Sequence, residues 1–259
     1  GSRDVFHKGH KSSLFSVNYI TYHDGYTLKD MVSYHRRHNQ ANMENNRDGH
    51  GDNISQNFGV EGFSKEAKIH HQRLNQQECL LATLLLSQGT PHLLGGDELS
   101  HSQQGNNNAY CQDNPITWLD WSPSGDKERL QQVIQQLLLL RKQQPILAEV
   151  YLTDDGLYHH LAEDQVEWVN EDGLPMSVAD WHQHERDYLG LILTRADSQT
   201  SLWLGFYRDD IPCFVHAPQH THHIAPLFQT KGVNVQHASI ECLYRSVFVM
   251  QIQRHSDVS

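Results

Sequence analysis

The sequence predicts an α/β half followed by an all-β half, and three observations carry that prediction. Short apolar strands alternate with long helical patterns up to about residue 145. Beyond it, short strand-like runs alternate with turn residues. Within the first half the order strand, helix, strand implies parallel strands joined by a helical crossover. At 259 residues the chain is one large domain or two smaller ones, and the change of texture places the boundary between 1–145 and 146–259.

Val17-Asn18-Tyr19-Ile20-Thr21-Tyr22 is β-branched and aromatic and runs into His23-Asp24-Gly25, a strand followed by a turn. A helix is predicted from Thr27 to about Arg37. Residues 38–64 are a long polar stretch rich in Asn, Asp and Gly, and such a stretch inside a domain is functional or disordered. From Glu66 to Ser87, Leu74, Leu81, Leu84 and Leu85 fall on one helical face. Gly89-Thr90-Pro91 stops that helix, and His92-Leu93-Leu94 reads as a buried strand closed by Gly95-Gly96-Asp97-Glu98. A second polar loop runs from Ser100 to Asn114. Ser124 or Asp126 can cap a helix over Lys127–Gln144, ended by Pro145.

Five strand-like runs follow: Glu167–Asn170, Tyr188–Leu193, Ser201–Tyr207, Pro212–His216 and Ser246–Ile252. Asp155-Gly156 and Glu171-Asp172-Gly173 are turn signals between some of them. The pattern predicts a small antiparallel β-sandwich.

Composition excludes several function classes. Lys and Arg number 20 against 31 Asp and Glu, a net charge of −11. A phosphate-binding surface wants the opposite sign, so neither nucleic acid nor an anionic membrane is an expected partner. The longest apolar run, Leu137–Leu140, is far too short to span a bilayer, and residues 1–9 hold no apolar signal core. A soluble cytoplasmic protein is expected. Cys79, Cys111, Cys213 and Cys242 form no C-x-x-C pair, which reads as reduced structural thiols.

Several stretches could carry chemistry. His23-Asp24 directly follows an apolar strand, and in a β/α barrel that position faces the substrate. The same residues also read as a plain chain-reversing turn. Gln104–Asn114 is dense in amides, with Tyr110 among them. Amides both donate and accept, which suits vicinal sugar hydroxyls, and an aromatic face can lie against a pyranose ring. A solvated turn-rich loop would have a similar composition. The run from Glu44 resembles a calcium loop but places Ser55 where a bidentate Glu is needed. The histidines at 216, 220, 222 and 223, and at 182 and 184, lack metal-site spacing and read as exposed loop residues. No metal or other cofactor is expected. Cys111 lacks any nucleophile signature, and the chain holds no G-x-S-x-G, P-loop or G-x-G-x-x-G.

Taken together, these segments resemble a known family. Val17–Gly25 is similar to the motif that ends the seventh barrel strand of the α-amylase superfamily, and Gly89–Glu98 to its eighth-strand motif. His38-Asn39-Gln40-Ala41-Asn42 with Asn46-Arg47-Asp48-Gly49, then Gln104–Asn114, then Thr117-Trp118-Leu119-Asp120-Trp121 narrow the resemblance to isoamylase-type bacterial glycogen debranching enzymes. Val166–Asn170 and Pro175–Trp181 are also similar to that subfamily. The resemblance implies the last two β/α units of a TIM barrel and a terminal antiparallel β-sandwich. It implies glycogen or a branched α-glucan as partner and hydrolysis of α-1,6 linkages by a retaining mechanism. Asp24 matches the third catalytic carboxylate, which holds sugar hydroxyls and steadies the transition state. His23 matches a residue bonding the same sugar ring, and Asn107 and Tyr110 are further candidates for substrate contact. Asp97 and Glu98 are read as strand-end structure.

The chain also departs from that family. A retaining glycosidase needs a nucleophilic carboxylate and a separate acid/base. The family carries them after its fourth and fifth strands, and no G-[FY]-R-x-D segment or acid-Glu motif occurs here. The reading is therefore a C-terminal portion of a debranching enzyme, inactive alone. A two-strand parallel portion leaves strand edges and apolar faces uncovered, so self-association through the first half, or partial disorder there, is expected. The alternative is a non-catalytic glucan-binding protein.

Overall fold

The computed structural model describes residues 17–147, 151–152, 158–159, 166–194 and 199–254. The expected turn at Asp155-Gly156 lies outside them. Residues 17–85 with 90–136 form one compact unit; residues 86–89 with those from 137 onward form another.

In the first unit, β1 (Val17–Asn18) pairs in parallel with β2 (Thr90–Pro91), Val17 opposite Thr90. His92 N–H extends the ladder by donating to Asn18 O at 2.7 Å. The expected strand over 17–22 is thus only two residues long, because no second strand pairs with residues 19–22 among those described. The second strand lies at Thr90–Pro91 rather than 92–94. The helix expected over 27–37 is one turn, α1 (Leu28–Met31), capped by the Thr27 side chain. It stops because its next carbonyls are taken elsewhere: Met31 O accepts from Gln56 N–H and Ser33 O from Gly62 N–H.

Helix α2 (Ala67–Leu86) joins β1 to β2 as the crossover. Leu74, Leu81, Leu84 and Leu85 are all buried, as their spacing predicts. Helix α3 (Gly125–Gln143) begins where Ser124 Oγ accepts from Lys127 N–H. Leu130, Ile134, Leu137 and Leu140 form its buried stripe, whereas Leu138 and Leu139 face outward. Arg129 donates to the buried Glu78 carboxylate at 2.5 Å, an ion pair joining α3 to α2.

The second unit carries a two-stranded ladder, β3 (Tyr151–Leu152) with β4 (Tyr158–His159), and two larger antiparallel sheets. The larger holds β5 (Val166–Val169), β6 (Tyr188–Thr194), β7 (Thr200–Tyr207), β12 (Ser246–Arg254) and β9 (Thr221–Gln229), in that spatial order. The smaller orders β10 (Val233–Val235), β11 (Ser239–Cys242) and β8 (Cys213–His216). A short helix, α4 (Val178–Trp181), is started by a reciprocal cap between Ser177 and Asp180. Val169, Ile192, Trp203, Phe248, Met250 and Ile252 of the larger sheet share one core with Val215, Val233, Ile240 and Cys242 of the smaller. That shared core makes the unit a β-sandwich. Five of its described strands escape a sequence reading: β3, β4, β9, β10 and β11. β9 carries Pro226 and two histidines and is mostly exposed, as suits an edge strand; β10 and β11 are very short. His216 lies on β8 and His222 and His223 on β9, so these three are not loop residues.

Candidate functional site

The turn after β1 presents Asp24 to solvent. Its carboxylate is 65% exposed and lies 3.1 Å from His23 Nδ1. A cluster of aromatic rings adjoins the pair through His23. Tyr22 lies 4.4 Å from His23 and 5.2 Å from His92, centroid to centroid, and Tyr19 lies 5.4 Å from Tyr22. His92 belongs to the β2 end, so the parallel pairing brings these side chains together. An exposed carboxylate accepts hydrogen bonds, while the adjoining rings offer apolar faces. The pair Asp24 and His23 was legible as a strand-end motif; the surrounding Tyr19, Tyr22 and His92 were not singled out by the sequence.

Two other carboxylates turn inward. Asp97, 2% exposed, accepts from the Thr21 hydroxyl and from Leu28 N–H at 2.9 Å. Asp30 is fully buried and accepts from Ser102 Oγ at 2.5 Å and from the N–H groups of Gln103 and Gly105. Burial pushes both carboxyls up to about 6, against the pull of those donors. Asp97 ties the residues on either side of the Asp24 turn together, and Asp30 ties α1 to the second polar loop. Glu98 caps the neighbouring turn through Gly96 N–H at 2.9 Å.

The two polar loops form one amide network. Asn39 Nδ2 donates to Asn107 Oδ1 at 2.9 Å, and Asn107 N–H returns a bond to Asn39 Oδ1 at 3.0 Å. Asn107 Nδ2 donates to His50 O and to Asn53 Oδ1. Asn42 reaches Asp48, Asn108 and, through its own oxygen, Asn106. The bonds from Asn42 and Asn108 hold the Asp48 carboxyl below the usual range, against partial burial. Asn107 is 1% exposed and its side chain is fully engaged, whereas Tyr110 stands out into solvent at 75%. The chain thus holds Asn107 beneath the surface and Tyr110 above it. The buried Asp30 and Asn39 were missed in the sequence; the signal for Asp30 was the cap pattern Thr27-x-x-Asp30. Among the described residues no cluster of three His, Cys, Asp or Glu could hold a metal ion, and no helix is long and apolar enough to cross a membrane.

The glycogen debranching enzyme of Pectobacterium atrosepticum is 45% identical over 184 residues, covering 71% of this chain and 27% of that protein. The chain is homologous to part of the glycogen debranching enzymes. The debranching enzyme of Yersinia enterocolitica matches at 41% over 229 residues, 88% of this chain and 32% of that one. The chain therefore spans between a quarter and a third of the debranching enzymes it matches. No family model matches it. The pullulanase of Anoxybacillus sp. LM18-11 shares its fold at 19% identity and a TM-score of 0.62, over 97% of this chain and 29% of that one. The catalytic module of the glycogen-degrading pneumococcal virulence factor SpuA gives 0.61 at 12% identity, over 92% and 36%.

Proposed function

We propose that this chain is the portion of an α-1,6-glucosidase of debranching type that presents the transition-state-stabilising carboxylate, Asp24, to a branched glucan. The observation that carries this reading is the exposed Asp24–His23 pair set among Tyr19, Tyr22 and His92 at the end of a parallel strand pair. Homology to the debranching enzymes supports it. The pullulanase of Anoxybacillus, whose structure is known with maltotetraose, supports a linear α-glucan as the ligand type.

In this reading residues 1–145 contribute β1, α2, β2 and α3 to a (β/α)8 barrel, and residues 146–259 are the terminal β domain. A sugar ring lies against the tyrosines while Asp24 and His23 accept its hydroxyls. As positive charge develops at the anomeric carbon, the Asp24 carboxylate stabilises it. Retention needs two further carboxylates, one nucleophilic and one acid/base, and Asp24 cannot serve as both. The 259 residues offer no segment for either, so the chain alone binds glucan without turnover. Asn107 acts as a positioning residue for the Asp24 turn, and Tyr110 as the residue of its loop that reaches substrate. The setting is cytoplasmic.

The test is release of reducing ends from a phosphorylase-limit dextrin. The chain alone and its Asp24→Asn variant should both release none. Release abolished by Asp24→Asn would overturn the claim that two carboxylates are missing. A chimera then separates an enzyme part from a glucan-binding module. This chain would replace the homologous segment of the Pectobacterium atrosepticum enzyme. The chimera should hydrolyse the dextrin, and Asp24→Asn should lower its kcat by about 100-fold or more, the scale of losing one transition-state partner. A folded but inactive chimera that still binds dextrin would favour the binding module.

A further inference from the structure

Cys213 and Cys242 are direct cross-strand partners in the antiparallel pairing of β8 with β11. Opposed residues of antiparallel strands hold their Cα atoms about 4.5–5.5 Å apart, within the roughly 4.4–6.8 Å that a disulfide requires. Neither is joined in a disulfide, and they differ in access: Cys242 is fully buried in the sandwich core and Cys213 is half-buried. Cys213 also lines a cavity of about 680 Å³, alongside His184, Arg186, Tyr207 and Phe214. A hydrogen bond from Cys242 holds the Cys213 thiol below its ordinary pKa, against the effect of burial.

We propose that Cys213 and Cys242 form a thiol–disulfide exchange site that reacts with low-molecular-weight disulfides of the glutathione class. The Cys213 thiolate attacks one sulfur of the small disulfide. A bond forms from Cys213 to that sulfur, the small S–S bond breaks, and the departing thiolate takes up a proton. Deprotonated Cys242 then attacks the Cys213 sulfur. The Cys213–Cys242 bond forms and the second small thiol leaves. Two protein thiols are oxidised to one disulfide, one small disulfide is reduced to two thiols, and no other reactant is needed. Exposure sets the order of events: the cavity admits the reagent to Cys213, and Cys242 resolves the adduct from the core side. The product ties β8 to β11 covalently. Cys111 is exposed at the end of a short 3-10 turn (Ala109–Cys111) and has no cross-strand cysteine among the described residues, so its reaction stops at the mixed disulfide.

The native chain is incubated with oxidised glutathione, the remaining thiols are alkylated, and the digest is read by mass spectrometry without reductant. The expected product is a peptide linking Cys213 to Cys242, lost on adding dithiothreitol. In Cys242→Ser the link vanishes and glutathione stays trapped on Cys213. In Cys213→Ser, a change at the half-buried position, neither link nor adduct at Cys242 appears. Cys111 is the internal control for reagent activity. A sample with glutathione on Cys111 but with neither adduct nor link at Cys213 overturns the proposal, even if Cys242→Ser fails to fold.

Discussion

Gly25 donates its backbone N–H to the carbonyl oxygen of Asn107 at 3.0 Å, so the residue that follows Asp24 is held by a buried amide of the second polar loop. The amide network below, together with the Asp97 bonds to Thr21 and Leu28, therefore holds the Asp24 turn. Asn107→Ala removes three side-chain hydrogen bonds and leaves His50 O, Asn53 Oδ1 and one proton of Asn39 Nδ2 without their partner. Only Asn39 of these three residues is fully buried, and an unsatisfied buried group costs about 1–3 kcal/mol, so a loss in that range is expected in urea unfolding. Gly49→Ala should act through the same network. Its Cβ would lie 2.3 Å from Asn107 Oδ1 and 2.7 Å from Asn39 Nδ2, at a φ of +72°. If neither variant shifts the urea midpoint, the network is not what holds the turn.

Stability of the first unit should fall as pH rises through the Asp30 and Asp97 titration. Their folded-state pKa values are about 6 against 3.8 for the free carboxyl. Between those values the folded chain binds more protons than the unfolded chain. The contribution is full below pH 3.8 and lost as pH rises through about 6, on the order of 3 kcal/mol for each group. Glu61 works in the opposite sense but in another window. Burial opposes its charge, yet the N–H groups of Arg36 and His35 hold it at about 2, so its contribution is present above 4.5 and lost only as pH falls toward 2. Buried His101, whose pKa burial lowers, adds stability as pH rises and partly masks the trend. The comparison that isolates the effect is therefore wild type against Asp97→Asn. The drop in unfolding free energy between about pH 5 and pH 7.5 should shrink in the variant. Parallel curves would place the Asp97 titration outside that window.

The exposed edge of β1 should drive self-association. Val17 and Tyr19 are 59% and 58% exposed, and β1 has one partner strand among the described residues. A strand edge flanked by exposed apolar side chains is a template for pairing with another chain. Light scattering should show an average mass that rises with protein concentration, and Val17→Lys should suppress the rise. A monomer at every concentration would refute the expectation.

The sequence disclosed most where burial follows a simple period. The stripe on α2 was readable because leucines recur at helical spacing with polar residues between them, and α3 was readable from its cap and its proline stop. β6, β7 and β12 were readable as β-branched and aromatic runs. What escaped was set by distant partners. Nothing local shows that Met31 O is taken by Gln56, which ends α1 after one turn. Likewise Asn107 is indistinguishable in sequence from its neighbour Asn108, yet only its environment, Asn39 and Asn53, makes it a buried link rather than a surface amide. The Asp24 motif was legible as a local string, whereas the tyrosine and histidine rings around it depend on β1 lying beside β2.

The sandwich core turns on one missing side chain, at Gly205. It stands opposite Phe248 across the β7–β12 ladder, and a Cβ placed there would lie 2.1 Å from Phe248 Cζ. The Phe248 ring therefore occupies the space that a side chain at 205 would take. From there it meets Trp203 edge-on at 5.1 Å and stacks over Tyr188 at 6.4 Å. Tyr188 OH in turn accepts the buried Trp203 indole N–H at 3.0 Å. Gly205→Ala must push the ring out of this arrangement, and overpacking of this kind costs about 1–3 kcal/mol. Phe248→Leu alone leaves a void and costs a similar amount. In the double variant the smaller Leu gives way to the new methyl, so the two losses should add to less than their sum by about 1 kcal/mol or more. Urea unfolding of the two single variants and the double variant measures that coupling. Full additivity would mean that Phe248 does not need the space above Gly205.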